Sequence, residues 1–300
     1  MTGLARADDA LPATTAGAAL VAGGGGLYTL VRDPRPLLPA IAAGTGLVGV
    51  GPAGVLVGAV LAALLRRDFA FFRRKRKGHG TRRHLEGRGA ARWTLVHCGA
   101  DGDRDLLRAA GLDVVSVITV PSVEHNGVLP AGFVLPRAQQ ETAPSVDLGS
   151  AVELLTGGEY VRSSGERVDH YFETLGAAHT HDVAQAFAAT LPTVVDAVAG
   201  VMWGGCYLAA VAAVRAGSRL VLVDPDGLDP SCVLGVGEGG RISDVAFVDD
   251  LVNSGTDFRR CERLAANSGT RASFHALYSP HARADLDRHP VAIGHRLVRS

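Results

Sequence analysis

A short apolar run that ends in two acids and a small polar turn constrains this chain more than any other feature. Val245 to Val248 are small, β-branched or aromatic, which is typical of a strand covered on both faces of a parallel sheet. Asp249 and Asp250 follow directly, and open α/β sheets bind their ligands at the carboxyl ends of strands. We therefore expect an α/β fold, with a parallel sheet flanked by helices and a ligand site at this edge.

The residues after the acids suit a phosphate group. Asn253 to Thr256 form a small turn that carries hydroxyl groups, and a helix is predicted from Asp257 to Asn267. Backbone N–H groups at a helix N-terminus bind phosphate, while the two carboxylates could hold the hydroxyl groups of a pentose. The pattern indicates a sugar phosphate. The alternative is a buried strand and turn that carry two acids by chance.

This pattern resembles the phosphoribosyl-pyrophosphate (PRPP) motif of type I phosphoribosyltransferases. The resemblance implies that Asp249 and Asp250 form the catalytic acid pair, which holds the ribose and the Mg²⁺ that accompanies PRPP. It also implies a 5′-phosphate site made by Asn253, Ser254, Gly255, Thr256 and Asp257. The expected fold is then a type I phosphoribosyltransferase-like sheet, and the expected cofactor is Mg²⁺ with PRPP as substrate.

A second segment, upstream of the acids, resembles the base-binding region of orotate phosphoribosyltransferases. Gly158 to Phe172 contains the sequence G-E-Y, then S-G, then a basic residue and an aromatic pair. In this resemblance Arg167 takes the place of a base-contacting lysine, and Tyr171 and Phe172 take the place of the aromatic pair. The acceptor implied is a nitrogen heterocycle such as orotate. Without the resemblance, the same residues indicate a β-hairpin or loop.

Between these segments the chain predicts a βαβ unit. Val194 to Val201 is a predicted strand, Tyr207 to Ala216 a predicted helix and Arg219 to Val223 another strand, so both strands should lie in one parallel sheet. The turn between the first strand and the helix lies where the family has its pyrophosphate loop. The residues predicted for this loop are Trp203, Gly204 and Gly205.

The predicted mobile loop, Asp224 to Ser243, departs from the family pattern in its charge. Its Glu238, Gly239, Gly240 and Arg241 match the end of the family's loop, but Gly237 stands where a histidine is expected. The loop carries four acids against the single cation Arg241, and the pyrophosphate-loop cation is replaced by Trp203. Cations that stabilise a departing group are usually a large catalytic contribution. Two functions therefore stay open: a transferase, or a non-catalytic PRPP or nucleotide sensor, which could also be a membrane-tethered regulator.

The amino-terminal third is strongly apolar. Leu37 to Leu65 is 29 residues long without a charge, which exceeds the length that a helix needs to cross a bilayer, and a basic block follows it. We expect a leader over 1–35, a transmembrane segment over 36–66 and a basic juxtamembrane segment over 67–90. The positive-inside bias then places the following domain in the cytoplasm, so the protein is expected to be membrane-associated. The alternative is a buried Gly/Ala-rich hairpin or a poorly ordered leader.

Glycines within this apolar segment also fit the dinucleotide fingerprint G-x-G-x-x-G. Gly49, Gly51 and Gly54 have this spacing, but the fingerprint also requires a preceding strand, a βαβ context and an acidic residue about twenty positions on. A block of arginine and lysine occupies that region, and we expect too little chain before the next domain for a complete dinucleotide fold. We therefore do not favour a dinucleotide site.

The remaining sequence defines a connector and few further functions. Residues 91–145 predict strand, helix and strand followed by a proline-rich linker, and 146–300 form the phosphoribosyltransferase-like domain, whose tail is expected to add a last strand or helix. The formal net charge of zero predicts no nucleic-acid partner. The four cysteines have no metal-binding spacing, and no internal repeat is detected. A homodimer is implied by the resemblance only.

Overall fold

The computed structural model describes residues 35–75, 83–87, 90–99, 102–120, 125–126, 133–134, 154–161, 165, 167–172, 180–201, 203–223, 233–234, 242–252, 255–279 and 291–296. Two sheets, each built around parallel strands, account for most of these residues together with the helices that flank them. The predicted α/β class, with a parallel sheet flanked by helices, is confirmed.

The first sheet lies in the amino-terminal half of the chain. After a short 3₁₀ helix, Arg35–Ala40, the elements are β1 Gly46–Val50, α1 Gly51–Leu65, β2 Phe69–Phe72, β3 Leu85–Glu86, β4 Trp93–His97, α2 Asp103–Ala109 and β5 Val114–Thr119. The strand order is β3-β2-β1-β4-β5, and only β3 pairs antiparallel. The apolar strands are buried because α1 covers one face and α2 lies on the other.

This sheet corrects the expected transmembrane segment over 36–66. The segment forms a 3₁₀ helix, a central strand and α1, and every residue from Ala53 to Ala63 in α1 is buried within the protein. Within the described residues, no helix combines the length and apolarity that a bilayer span requires. A helix that is apolar all round fits either a protein core or a membrane, so its composition could not distinguish the two.

The same sheet changes the expected division of the chain. The strands β4 and β5 belong to the stretch expected as a separate connector over 91–145, but β4 pairs with β1 along its whole length. The expected boundaries therefore fall within one sheet. Periodicity identified these strands without showing their neighbours, because strand pairing depends on contacts that are distant in sequence.

The second sheet occupies the carboxyl-terminal half. Its strands and helices are β6 His125–Asn126, β7 Phe133–Val134, α3 Thr180–Ala188, β10 Ala197–Val201, α4 Gly205–Ala216, β11 Arg219–Val223, β12 Val233–Leu234, β13 Asp244–Leu251, α5 Thr256–Asn267, β14 Arg271–Ser279 and β15 Val291–Arg296. A separate hairpin pairs β8 Leu154–Val161 with β9 Arg167–Phe172. The sheet order is β15-β14-β13-β10-β11-β12-β6, and β7 also pairs with β11. The parallel strands are β15, β14, β13, β10 and β11, in this order, as predicted for this half. The strand β15 confirms a strand in the tail.

The two sheets repeat one topology, which the sequence analysis missed. In each, a strand leads into a helix and then a parallel neighbour, and the chain then crosses to the other side for two more strands: β2-β1-β4-β5 in the first sheet and β11-β10-β13-β14 in the second. Gly49 therefore lies in β1, and Gly51 and Gly54 lie at the start of α1 inside a βαβ unit, contrary to our expectation. The required acid is still missing, since Arg73 and Arg74 follow β2.

Helices α1 and α4 pack against each other between the two sheets, and one hydrophobic cluster includes both. Aromatic rings join β2 to α4: Phe69 stacks on Tyr207 and Phe71 on Trp203, each with centroids 5.6 Å apart. The last residues of β2 thus contact the turn that begins α4. The carboxyl end of β2 consequently lies beside the turn that was predicted as the pyrophosphate loop.

Candidate functional site

The two acids lie in the final residues of β13 and not after it. The strand continues to Leu251, so the predicted end at Val248 is corrected, and Asp249 pairs in register with Ala276 of β14. Asp250 contacts the start of α4, and Asp249 interacts electrostatically with Asp257 and Cys261 of α5. The side chains of Asp249 and Asp250 also hydrogen-bond to each other. The acid pair therefore bridges two helix starts.

Two glycines allow α4 to approach this strand end closely. A Cβ atom added to Gly204 would collide with the carboxylate of Asp250. A Cβ atom added to Gly205 would collide with the backbone oxygen of Val248 and lie 3.0 Å from the Cα of Asp249. The predicted pyrophosphate loop and the acid pair, which are distant in sequence, thus form one surface. Only glycine permits backbone to lie this close to the acids.

Burial shapes the electrostatics of the acid pair. Burial raises the pKa of Asp249 well above its usual range, and the neighbouring carboxylates of Asp250 and Asp257 raise it further. The backbone N–H of Asp250 donates a hydrogen bond to Oδ1 of Asp249 at 2.8 Å, which acts in the opposite direction. Such a carboxylate favours a bound proton or cation. Two carboxylates are oxygen donors that suit Mg²⁺ when substrate and water complete the coordination.

Metal binding by the protein alone has less support. Within the described part of the chain, no cluster of three or more His, Cys, Asp or Glu side chains is arranged to hold a metal ion. Asp249 and Asp250 could therefore contribute part of a magnesium site, with the phosphates and hydroxyl groups of a ligand contributing the rest.

The predicted phosphate turn leads into α5. Gly255 has φ of 69°, a left-handed conformation that favours glycine, and the helix begins at Thr256, one residue earlier than predicted. Nη2 of Arg259 donates to Oγ1 of Thr256 at 3.1 Å, which places a cation at this turn. Asp257 lies in the first turn of α5, and Asn253 and Ser254 lie outside the described residues.

The sequence analysis missed Arg259 as a neighbour of the phosphate turn. The signal was available, because helix residues three positions apart share a face and Thr256 is three before Arg259. A guanidinium beside a hydroxyl at a helix N-terminus is a favourable setting for phosphate.

Trp203, which was predicted to replace a pyrophosphate-loop cation, has a cation beside it. The guanidinium carbon of Arg73 lies 5.1 Å from the Trp203 ring centroid and 4.9 Å from that of Phe71. Arg73 directly follows β2 of the first sheet. Nothing local in the sequence links it to Trp203, so only the packing of the two halves reveals the pair.

The predicted base-binding residues lie on the β8–β9 hairpin, which matches the structural alternative named for them. The Arg167 side chain is 75% exposed and pairs with Glu159 of the same hairpin. Tyr171 and Phe172 belong to β9, and their side chains lie outside the description. The mobile-loop residues Glu238, Gly239, Gly240 and Arg241 also lie outside it. Their roles stay predictions.

Comparisons with known proteins gave structural likenesses only. No family model matches the chain, and no curated protein matches it. Similar solved structures include an orotate phosphoribosyltransferase from Aeropyrum pernix, which is 25% identical, with 49% of this chain and 89% of that chain covered and a TM-score of 0.41. Adenine phosphoribosyltransferases from Rhodothermus marinus and Thermoanaerobacter pseudethanolicus are 15% and 18% identical, with TM-scores of 0.39 and 0.38; each covers 50% of this chain, and 96% and 98% of those chains respectively. These likenesses by themselves assign this chain neither a substrate nor an activity.

Proposed function

We propose that this protein binds PRPP with Mg²⁺ at the carboxyl end of β13 and transfers its phosphoribosyl group to a nitrogen heterocycle such as orotate. The observation that carries the proposal is the close packing of Gly204 and Gly205 on Asp250 and Asp249. This packing places a glycine turn, whose N–H groups can donate hydrogen bonds to phosphate oxygens, next to carboxylates that can accept hydrogen bonds from ribose hydroxyls. The turn before α5, with Thr256 and Arg259, completes the surface.

Each part of this surface matches one part of PRPP. The carboxylates of Asp249 and Asp250 would accept hydrogen bonds from the ribose hydroxyls, and N–H groups at the start of α5 would donate to the 5′-phosphate. The glycine turn before α4 would lie along the pyrophosphate. Magnesium, when bound with PRPP, neutralises phosphate charge. The residues named here contribute by fixing the ribose, so that a ring nitrogen can attack its anomeric carbon while the bond to pyrophosphate breaks.

A non-catalytic PRPP sensor is the second candidate. It is favoured by the chemistry of the pyrophosphate turn itself, in which Trp203 stands between β10 and Gly204 where a cation was expected. A site of this kind can bind PRPP without stabilising pyrophosphate as it departs, and then turnover would be absent while binding remained.

Calorimetric titration of the full-length protein with PRPP and Mg²⁺ tests the binding that both candidates require. The variant with Asp249→Asn and Asp250→Asn should lose PRPP affinity by at least about a hundredfold, because two carboxyl groups that can bind the ribose and Mg²⁺ are removed. Asp113→Asn is a matched control, since Asp113 is 64% exposed and lies at the amino end of β5, whereas the proposed site lies at the carboxyl end of a strand. Equal PRPP affinity in the double variant and the wild type would refute the assigned site.

Release of pyrophosphate then separates the two candidates. Wild-type protein is incubated with PRPP, Mg²⁺ and either orotate or adenine, and pyrophosphate is measured over time. Base-dependent release that is lost in the double variant supports a transferase and identifies the class of base. PRPP binding without release with either base would favour the sensor.

A further inference from the structure

One hydrogen-bond donor of Arg73 is buried and unpaired. The Arg73 side chain is only 9% exposed, and its Nη2 atom is buried without a hydrogen-bond partner among the residues that the structure describes. Its Nε donates to Oε1 of Glu86 at 2.9 Å, which accounts for one side of the guanidinium. A buried donor without a partner costs free energy, and more when it is charged. Such a group in a folded protein requires an explanation, and a role in binding an anion is one.

The backbone and neighbours of Arg73 hold it in this position. Its N–H donates to the carbonyl of His84 at 2.7 Å, and its own carbonyl lies 2.7 Å from Nδ1 of His84. The guanidinium lies over the rings of Phe71 and Trp203. Stacking of this type restricts the side chain while it leaves the edge of the guanidinium available for hydrogen bonds. Arg73 is therefore pre-positioned before any ligand binds.

The location of Arg73 connects it with the acid pair. It follows β2, whose last residues contact Trp203, and Trp203 precedes the glycine that packs on Asp250. The carboxyl end of the first sheet thus reaches the turn between β10 and α4. The cation that the turn lacks in its own sequence is present beside it in space, contributed by the other half of the chain.

We propose that Arg73 binds the pyrophosphate group of PRPP across the junction of the two sheets, in place of a cation in the β10–α4 turn. This inference rests on the proposed function, since it assigns a residue to the same ligand. The Nη2 donor would bond a phosphate oxygen, and the guanidinium would offset the charge that grows on pyrophosphate as its bond to ribose breaks. The first sheet then completes the site of the second.

Comparison of three ligands isolates this role. PRPP, inorganic pyrophosphate and ribose 5-phosphate are titrated with Mg²⁺ into wild-type protein and into Arg73→Gln. The variant should bind PRPP and pyrophosphate about ten- to a hundredfold more weakly, because one charge-assisted bond is lost. Ribose 5-phosphate has no pyrophosphate group, so its affinity should stay within about twofold of the wild type.

Two further variants control for charge and folding. Arg92→Gln makes the same change at a residue whose side chain is 56% exposed and which lies at the amino end of β4, away from the carboxyl end of β2 where Arg73 lies. This variant should leave all three affinities unchanged. Arg73→Lys keeps the charge but loses the planar fork, so it should weaken PRPP binding less than Arg73→Gln. Thermal unfolding of each variant identifies any that is not folded, and Arg73→Lys then provides the comparison.

The outcomes separate this inference from the proposed function. If wild-type protein binds PRPP and pyrophosphate and Arg73→Gln binds both equally well, the role of Arg73 is overturned while the proposed function stands. An equal loss of affinity for PRPP and ribose 5-phosphate would also overturn it, because it would show a structural effect on the whole site. Pyrophosphate binding that depends on Arg73, without any PRPP binding, would support an anion site and refute the proposed function. Absence of binding by wild-type protein to either ligand would overturn both.

Discussion

Gly204→Ala should separate ligand binding from stability at the acid pair. The added methyl group would occupy the space of the Asp250 carboxylate, so that this side chain must rotate away from the turn. Gly204 has φ of −63° and ψ of −39°, which alanine adopts without strain. The perturbation therefore acts on one side chain and leaves the backbone unchanged.

The magnitudes for Gly204→Ala follow from this geometry. Replacement of glycine by alanine at a compatible φ stabilises a protein by about 0.4–1 kcal/mol, and displacement of a half-buried carboxylate costs a similar amount. The free energy of unfolding should then change by less than about 1 kcal/mol. A displaced Asp250 loses a charge-assisted hydrogen bond to the ribose, so PRPP affinity should fall about ten- to a hundredfold.

Gly205→Ala provides the contrasting variant. Its added methyl group meets the backbone oxygen of Val248, which cannot rotate away, so α4 and β13 must separate. Overpacking of this kind costs about 1–3 kcal/mol. Urea unfolding and PRPP titration are measured for both variants. The reasoning is refuted if Gly204→Ala is the less stable of the two, or if it binds PRPP as the wild type does.

Three further predictions concern the core and two titratable groups with shifted pKa values. Leu61→Ala, in the middle of α1, should lower the free energy of unfolding by about 2–5 kcal/mol, measured by urea unfolding of the full-length protein; a smaller loss would contradict the buried position of this helix. Asp249→Asn should raise the free energy of unfolding at pH 7 and not at pH 3, because a carboxyl group with a raised pKa destabilises the fold as pH rises from its usual pKa towards the raised one. The Asn Oδ1 can still accept the Asp250 N–H, and equal unfolding midpoints of variant and wild type at pH 7 would count against the prediction. Burial lowers the pKa of His275 to about 4, so the stability that the neutral side chain contributes is present above the ordinary histidine pKa and is lost as pH falls from about 6.5 to about 4. His275→Gln should reduce this loss by up to about 3 kcal/mol in unfolding curves measured across that range, and the same pH dependence in variant and wild type would refute the prediction.

Much of the second half of the chain could be predicted because its signals are local. The strand Arg219–Val223 was predicted to the residue, and α5 was predicted to within one residue at its start. The acid pair and the glycine turn were predicted as site residues from neighbouring residues alone, and their roles stay predictions. The sequence could not show that Gly204 lies on Asp250, since the contact depends on how closely α4 approaches β13.

The sequence by itself determined the strands of the second half, such as Arg219–Val223, and the acids that end a buried strand, since these properties depend on side chains only a few positions apart. Tertiary structure alone decided that the apolar segment 36–66 forms a core strand and helix, because an all-apolar helix is equally compatible with a protein interior and a bilayer. Tertiary structure also placed Arg73 beside Trp203, which required two sheets to pack through α1 and α4. Periodicity describes the face that an element buries, whereas the partner of that face is set by the packing of the whole chain.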